Sequence, residues 1–346
     1  MKHQTTRYGE IPFYKIGTFG NTADAFISKK LFLEYKTKYS FPKKGDILIS
    51  ASGTIGRAVI YDGKPAYFQD SNIVWIDNDE TLVKNDFLFY AYSNVKWNTE
   101  HTTILRLYND NFRNTLIPLP PLNEQSAIAN ILSGLDRYLC ALDALILKKE
   151  GVKKALSFEL LSQRKRLKGF NQAWQRVRLG DIANYLTSNL SVEQITQQGK
   201  IKVYDVNNFI GYTDTTFISD KPYISIVKDG SVGRVRILPP KTNILSTMGA
   251  LIANHRTTTE FLFYLLSNFD FKNFTSGSII PHIYFKDYKE KTIFLPPLNE
   301  QSAIANILSD LDNEITSLKN KKRQFENIKK ALNHDLMSAK IRVLEK

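Results

Sequence analysis

A long internal repeat constrains this chain more than any other feature of its sequence. The segment Leu119–Ser133 recurs unchanged as Leu295–Ser309, at an offset of 176 residues in a chain of 346. When each copy is extended by three residues, 17 of 18 positions are identical. A repeat of this length indicates a chain built from two similar halves, so every other pattern has to be interpreted in pairs.

Weaker matches extend the repeat into the segments that precede each copy. Phe87–Asn94 matches Phe261–Asn268, and Gly53–Arg57 matches Gly230–Arg234. The aromatic segments predict buried helices, and the glycines lie inside strand–turn–strand patterns. Two divergent globular parts that end in near-identical junctions predict an α+β fold with two α/β domains, each with its own core.

A polar helical segment follows each copy of the repeat. Its apolar residues recur at spacings of four and three, which is typical of a coiled-coil seam. We expect the two helices to bury each other's seam and, from the pseudo-twofold symmetry of the repeat, to run antiparallel. Ser133–Asp136 and Ser309–Asp312 fit capping boxes, which predict that each long helix begins there, after a shorter helix. The seam positions are Leu135, Leu139, Leu142, Ile146, Leu311, Ile315, Leu318 and Phe325.

Charge and residue usage restrict the classes of partner and compartment. The formal net charge of +13 and a pI of about 9.5 favour an anionic partner, with nucleic acid as the leading candidate. No apolar run approaches the roughly 18 residues of a membrane span, and the first residues lack a signal-peptide pattern, so we expect a cytoplasmic protein. The single cysteine, Cys140, excludes an intrachain disulfide and a cysteine-based zinc cluster.

Two local patterns are candidates for contacting DNA. In each glycine turn, exposed amides and the following arginine could hold a phosphate or a guanine edge, although a plain hairpin turn explains the pattern equally well. Arg106 and His282 occupy matching positions before the two repeat copies, and His282 could read a base edge or be a hydrogen-bonded core residue. The residues expected to contact DNA are Lys15, Ser52, Thr54, Arg57, Arg106, Lys228, Ser231, Arg234, His282 and Lys286.

Motifs of the common catalytic sites are absent from the sequence. The five histidines show no paired metal spacing, and there is no Gly-x-Ser-x-Gly elbow, no dinucleotide-binding glycine pattern and no Walker A ending. The sequence therefore favours a binding subunit, without a metal or cofactor of its own, over an enzyme. The alternatives are an enzyme with an unfamiliar motif and a coiled-coil scaffold that does not contact DNA.

Three segments resemble DNA-specificity subunits of type I restriction–modification systems. They are Leu119–Gln125 with its repeat Leu295–Gln301, then Trp174–Ile182, and Gly45–Gly56. The resemblance implies two target-recognition domains, each reading one half of an asymmetric bipartite DNA site, and helices that set the spacer between the halves. It places recognition domains at 1–118 and 169–294 and conserved helical regions at 119–168 and 295–346.

The resemblance also implies partners. Two copies of a methyltransferase subunit would dock on the repeat, and a restriction subunit is a further partner that it allows. S-adenosylmethionine, Mg²⁺ and ATP would belong to those subunits only. A DNA-binding subunit of a related methyltransferase system is the nearest alternative. The residues expected to contact the methyltransferase are Asn123, Glu124, Gln125, Ile128, Asn299, Glu300, Gln301 and Ile304.

One departure from the family pattern concerns the first domain. The second domain opens with Trp174 followed by Leu179-Gly-Asp-Ile182, and nothing near the N-terminus corresponds to this segment. An alternative start, a truncated allele or a strand borrowed from elsewhere would each explain the difference, and the sequence alone leaves all three open.

Overall fold

The structure is a computed structural model that describes residues 4–68, 72–97 and 106–344. Within these ranges, no helix combines the length and the apolar character needed to cross a bilayer. The predicted α+β fold is confirmed, with two β-rich globular parts and two long helices.

The chain divides into two compact units that are interleaved in sequence. Unit 1 comprises Met1–Asp143 and Asn320–Lys346, and unit 2 is Ala144–Lys319. Each unit therefore combines one globular part with segments of both long helices.

The globular part of unit 1 contains two three-stranded sheets. In the first, β1 pairs antiparallel with β2 and parallel with β5; in the second, β3 pairs antiparallel with β4 and β6. Ile47 and Ile49 of β3 share a core cluster with Leu88 of α2, which confirms the predicted strand–turn–strand unit and the buried aromatic helix. The elements are β1 (Ile11–Tyr14), β2 (Ala25–Ile27), α1 (Lys29–Lys38), β3 (Ile47–Ser50), β4 (Ala58–Ile60), β5 (Tyr67–Phe68), β6 (Ile73–Trp75), α2 (Asn85–Tyr92), α3 (Asn109–Arg113) and the first part of α4 (Leu122–Leu161).

The globular part of unit 2 repeats both sheets and adds further strands. The trio β10-β9-β13 matches β2-β1-β5, and β12-β11-β14 matches β4-β3-β6. Strand β8 extends the second sheet beside β14, and β7 pairs with β17. The elements are β7 (Gln175–Arg178), β8 (Ala183–Thr187), β9 (Ile201–Tyr204), β10 (Phe209–Thr213), β11 (Tyr223–Val227), β12 (Val235–Leu238), β13 (Asn243–Ile244), β14 (Met248–Ala253), α5 (Thr259–Ser267), β15 (Thr275–Ser276), β16 (His282–Ile283), α6 (Phe285–Tyr288), β17 (Thr292–Leu295) and the first part of α7 (Leu298–Met337).

The two long helices are unbroken over 40 residues each, or about 60 Å. The prediction that they begin at Ser133 and Ser309 is wrong. A serine caps a helix only where the preceding chain is not helical. Here the backbone is already helical from Leu122, so the Ser133 hydroxyl donates to the Asn130 carbonyl, 3.2 Å away, inside the helix.

Lysines that interrupt the apolar seam reach carboxylates on the opposite helix. In both units the residue number rises along one helix as it falls along the other, so the paired segments run antiparallel, as predicted. All eight predicted seam positions are buried or half-buried. The ion pairs are Lys149–Glu314 and Lys153–Asp312 in unit 2 and Lys322–Asp143 and Lys329–Asp136 in unit 1.

Candidate nucleic-acid interface

The same glycine turn joins β3 to β4 in unit 1 and β11 to β12 in unit 2. The Gly56 amide donates to the Ser50 carbonyl at 3.0 Å, and the Gly233 amide donates to the Val227 carbonyl at 2.9 Å. All four turn glycines have φ between +69° and +84°, where a residue with a Cβ would be strained. The positive φ angles therefore explain why both turns have glycine at the same two positions, although the sequences around them differ.

The two glycines of each turn have different packing environments. A Cβ at Gly56 would strike the Trp97 ring, and one at Gly233 would strike the Phe271 ring, so the second glycine makes room for an aromatic side chain. At Gly230, the first glycine of the second turn, no atom lies within 4 Å of the Cβ position. Close approach of a ligand is therefore open at Gly230, whereas Ile16 Cγ1 lies 3.4 Å from the Cβ position at Gly53. Intrachain packing explains the second glycine of each turn.

The two turn arginines differ in how much of their hydrogen-bonding capacity is free. The Arg57 guanidinium donates to the Phe19 carbonyl at 2.9 Å, which fixes it against its own unit. Arg234 is exposed and makes no side-chain hydrogen bond to any residue that the structure describes. Lys15 forms an ion pair with Asp24 at 2.8 Å. Arg234 is therefore the turn cation with most capacity for an anionic ligand.

A short bridge holds Arg106 beside the turn of unit 1, and an equivalent bridge holds His282 beside the turn of unit 2. The Arg106 guanidinium lies 5.9 Å from the ring centre of Tyr108, and the His282 ring stacks on Tyr284 at 6.5 Å. Both tyrosines are exposed. An exposed ring next to a cation or imidazole suits contact with bases and phosphates. These four side chains form what we call the reading edges, Arg106–Tyr108 and His282–Tyr284.

His282 is neither a buried core residue nor an isolated surface group. Its Nδ1 lies 2.7 Å from Asp229 Oδ1, and its side chain is half-buried. Asp229 thereby orients the ring, and Nε2 is the nitrogen left for another group. Lys286 extends this edge, because its Nζ lies 5.5 Å from the centre of the Tyr284 ring.

The remaining predicted residues range from buried to exposed. Ser52 is buried and donates to Asn72 Oδ1 at 2.8 Å, so its side chain serves the fold. Thr54 and Ser231 are exposed at the turns, and Lys228 is half-buried. The described part of the chain brings together no group of three or more His, Cys, Asp and Glu side chains that could hold a metal ion.

Sequence reasoning missed the two tyrosines of the reading edges and the aspartate that orients His282. A signal for the tyrosines was present, because each lies two residues after Arg106 or His282 in the aligned segments. No comparable signal pointed to Asp229, since its counterpart in unit 1 is Ser52 and only tertiary structure pairs it with His282.

The repeat block joins each globular part to its long helix through a buried glutamine. Gln125 donates from Nε2 to the carbonyls of Leu82 and Pro120, at 3.0 and 2.8 Å, and accepts from the Lys84 amide at 2.7 Å. Because a buried amide that loses such partners is costly, Gln125 fixes the start of the helix against the domain.

Gln301 repeats this arrangement in unit 2 with one more bond. It donates to the carbonyls of Arg256 and Pro296 and accepts from the Thr258 amide, and the Thr257 hydroxyl also donates to it at 2.9 Å. The near-identity of the two repeat copies therefore has a structural reason inside each unit.

The neighbouring glutamates are buried, and each forms an ion pair with an arginine that is half-buried or exposed. Two nitrogens of Arg342 donate to Glu124, and two nitrogens of Arg166 donate to Glu300. The hydrogen bond from Arg342 lowers the pKa of the Glu124 carboxyl below its ordinary value.

The expected methyltransferase contacts have to be corrected accordingly. Six of those eight side chains face their own unit, which leaves two asparagines on the surface. The six buried residues are Glu124, Gln125, Ile128, Glu300, Gln301 and Ile304, and the two exposed ones are Asn123 and Asn299.

A family model described as the type I restriction modification DNA specificity domain matches residues 1–149 and 171–327. The chain belongs to this family, whose members are specificity subunits that recognise DNA. Specificity subunits of type I systems are not catalytic, and the catalytic cofactors belong to the modification and restriction subunits.

Individual relatives agree with this assignment. A protein of Haemophilus influenzae named as a type I restriction enzyme specificity subunit is 65% identical over 133 residues, which cover 38% of this chain and 34% of that protein. The type I restriction enzyme MjaVIII specificity subunit of Methanocaldococcus jannaschii is 25% identical, over 92% of this chain and 84% of that protein.

Solved structures are similar in fold. The crystal structure of a type I restriction–modification S subunit from M. genitalium matches 97% of this chain and 91% of its own, with a TM-score of 0.63 and 20% identity. A structure from a study of complex assembly and conformational transition of the type I system covers 85% of this chain and 82% of its own, with a TM-score of 0.52 and 16% identity.

Proposed function

We propose that each unit reads one half of an asymmetric bipartite DNA site. The observation that carries this proposal is the pair of reading edges, because the same turn backbone presents Arg106–Tyr108 in unit 1 and His282–Tyr284 in unit 2. Equal scaffolds with different side chains suit two different half-sites. The recognition domains at 1–118 and 169–294 and the helical regions at 119–168 and 295–346 follow from the same proposal, with the helices setting the spacer.

Two methyltransferase subunits dock, in this proposal, on the exposed face at the start of each long helix. Three positions of the repeat are exposed in both copies: Leu122, Asn123 and Asn130 on α4 and Leu298, Asn299 and Asn306 on α7. The two sets are identical in residue type and helical spacing, so they offer one surface twice. The buried glutamates and glutamines hold this surface in place rather than contacting the partner.

Substitutions in the two reading edges test half-site reading. We expect Arg106→Ala to relax the preference at one half of the modified motif and His282→Ala at the other, each by about 1–3 kcal/mol at the affected base. The measurement is methylome sequencing of cells in which the complete complex carries each variant. Lys330→Ala, at an exposed position of α7, is the control and should leave the motif unchanged. Relaxation of the same half by both variants would contradict the proposal.

Salt dependence tests contact with the phosphate backbone. If roughly 6–10 phosphates are contacted, log affinity of the purified complex should fall against log salt with a slope of about −5 to −9. Arg234→Ala should reduce that slope by about 1. Arg57→Ala should reduce it less, because the Arg57 guanidinium already donates to a carbonyl of its own unit. A flat salt dependence would argue for an assembly scaffold that does not bind DNA.

Single substitutions at the helix starts test the docking proposal. Asn123→Arg should remove one methyltransferase copy and Asn299→Arg the other, and the double variant should bind none. Light scattering of the assembled complex gives the stoichiometry. Lys330→Ala again serves as the matched surface control. Retention of both copies by the double variant would place the docking surface elsewhere.

A further inference from the structure

The His282–Tyr284 reading edge of unit 2 includes a carboxylate, Asp229, at the position where unit 1 has Ser52. Asp229 and His282 lie directly opposite each other in an antiparallel bridge. Two hydrogen bonds of 2.9 Å flank the pair, from the Ile283 amide to the Lys228 carbonyl and from the Gly230 amide to the Pro281 carbonyl. Opposed residues that are flanked in this way bring their side chains close together on one face. The backbone therefore holds the aspartate against the imidazole.

Asp229 decides which ring nitrogen of His282 carries the hydrogen. Its Oδ1 lies 2.7 Å from His282 Nδ1, and among the described residues no other side chain hydrogen-bonds to this carboxylate. An ionised carboxylate can only accept, so Nδ1 carries the hydrogen of this bond. In a neutral imidazole the second nitrogen, Nε2, is then a hydrogen-bond acceptor.

Packing holds the ring in the orientation that this bond requires. Gly277 has a φ of +90°, and a Cβ there would lie 3.0 Å from His282 Cδ2, so the glycine makes room for the side of the ring that faces away from Asp229. The Tyr284 ring stacks on the imidazole with 20° between the ring planes. Nε2 makes no hydrogen bond to any residue that the structure describes, and the side chain is 36% exposed. The acceptor is therefore both fixed and accessible.

A fixed acceptor distinguishes the bases by their amino groups. In the major groove the hydrogen-bond donors are the amino groups of adenine and cytosine, whereas guanine and thymine present keto oxygens in their place. An acceptor that faces another acceptor leaves both groups without a partner, which is costly once water is excluded. His282 Nε2 therefore favours adenine or cytosine over guanine or thymine at the position that it contacts.

The equivalent position of unit 1 has the opposite hydrogen-bonding character. The guanidinium of Arg106 carries donors only, which suits guanine O6 and N7, and it has no tautomer to be selected. The residue opposite it, Ser52, donates its hydroxyl hydrogen to Asn72 Oδ1 at 2.8 Å. The carboxylate thus accompanies the reading residue whose hydrogen-bonding character depends on a neighbour.

We propose that Asp229 is a positioning residue that makes His282 a hydrogen-bond acceptor, so that unit 2 recognises an amino base, adenine or cytosine, where His282 contacts the DNA. Asp229 acts through the imidazole and does not itself touch a base. The proposal rests on the proposed function, in which unit 2 reads one half-site, and it names the base chemistry of that half-site.

The tautomer of His282 can be measured without DNA. Long-range proton–nitrogen correlation spectra of the full-length protein, labelled with nitrogen-15 histidine, distinguish protonated from unprotonated ring nitrogens, and His282→Gln identifies the signals. At about pH 8, where imidazole is ordinarily neutral, we expect a protonated Nδ1 and an unprotonated Nε2. Asp229→Ala should lose this preference. The control Asp220→Ala, at an exposed aspartate of unit 2, should keep it.

The base contact is tested with the assembled complex. Methylome sequencing of cells that carry His282→Ala identifies the position, and we expect adenine or cytosine there in the parent motif. Replacing that base in a duplex with its analogue lacking the amino group, purine for adenine or the pyrimidinone for cytosine, should weaken binding by about fivefold or more. The same replacement should change binding by the His282→Ala complex less than about twofold, because the acceptor is already absent.

Asp229→Ala should change specificity at that one position. Release of the tautomer allows Nε2 to donate, so methylation at sites with guanine or thymine there should rise by about fivefold or more, while the half-site of unit 1 stays the same. A loss of methylation spread equally over all sites would show that Asp229 serves the fold alone, and would overturn its role in specificity.

The remaining contrary outcomes separate this proposal from the proposed function. A protonated Nε2 at about pH 8, or a guanine or thymine at the position that His282→Ala identifies, would overturn the amino-base proposal and leave half-site reading intact. A motif that His282→Ala leaves unchanged would overturn reading by this edge, and the amino-base proposal with it.

Discussion

The two junctions between globular part and long helix share one sequence but differ in burial. At the start of α7, Leu295 is enclosed by β7 and the Trp174 segment, whereas Leu119 at the start of α4 lies open. The buried glutamine and the glutamate–arginine pair of the repeat occur in both units, with one additional hydrogen bond at Gln301. The difference shows that the repeat fixes the helix to its own domain, while a segment outside the repeat decides whether the junction is covered.

The largest expected effect comes from removing the covering tryptophan. Trp174→Ala should destabilise unit 2 by about 3–5 kcal/mol, because it empties core volume and leaves one Glu300 oxygen without its indole donor. Hydrogen exchange followed by mass spectrometry should show lost protection in β17 and α5, while α2 in unit 1 keeps its protection. Unchanged exchange in unit 2 would mean that this segment does not stabilise the junction.

The buried glutamines should give the next largest effect, and an unequal one. Gln125→Ala and Gln301→Ala should each cost about 2 kcal/mol or more, because each removes a buried side-chain amide that bonds three backbone groups. Gln301→Ala should cost about 1 kcal/mol more, since Gln301 also accepts from the Thr257 hydroxyl. Urea unfolding followed by circular dichroism measures both. A larger loss for Gln125→Ala than for Gln301→Ala would contradict the predicted order.

Acid should weaken the open junction in a way that depends on Glu124. The hydrogen bond from Arg342 holds the folded-state pKa of this carboxyl below its ordinary value of 4.5. The pair therefore stabilises unit 1 fully above that value, and this stabilisation is lost as pH falls through the lowered folded-state pKa. Melting temperatures between pH 6 and 3 should fall more steeply for the parent protein than for Glu124→Gln. Equal slopes would show that the pair contributes nothing.

The smallest expected effect, and the most symmetrical, concerns the seam lysines. Lys153–Asp312 in unit 2 and Lys329–Asp136 in unit 1 are equivalent in the repeat and half-exposed. Double-mutant cycles on each pair should give similar coupling energies of about 0.2–1 kcal/mol, reduced by added salt. A coupling in one unit only would show that the two helix pairings differ more than their sequences do.

The features that follow a spacing could be predicted from the sequence. The apolar repeat indicated the seam, and the glycines and alternating residues indicated the strand–turn–strand units. The helix starts could not be predicted, because whether Ser133 caps a helix depends on the backbone before it. The burial of Glu124 and Gln125 was equally hidden, since polar residues in the first turn of a helix are usually exposed and their partners, Arg342 and Leu82, are distant in sequence.

In the candidate site, too, the sequence located the positions but did not show their contacts. Arg106 and His282 were found because the repeat aligns them, and the structure brings each to its turn. The sequence could not show whether a side chain is free to bind DNA. Arg57 and Arg234 have matching positions in the repeat, but the Arg57 guanidinium is held by the Phe19 carbonyl. Alignment within a repeat thus locates equivalent positions, and tertiary contacts decide how each one is used.

Because unit 1 takes its two pieces from opposite ends of the chain, synthesis on the ribosome imposes an order on assembly. All of unit 2, Ala144–Lys319, has been translated before Asn320, where the second piece of unit 1 begins, so unit 2 can close first. Until then the nascent Leu336 and Met337 cannot reach the core that they share with Phe87 and Leu132. A premature stop in the part of α7 that follows Asn320 would therefore damage unit 1, although the globular part of that unit is translated in full.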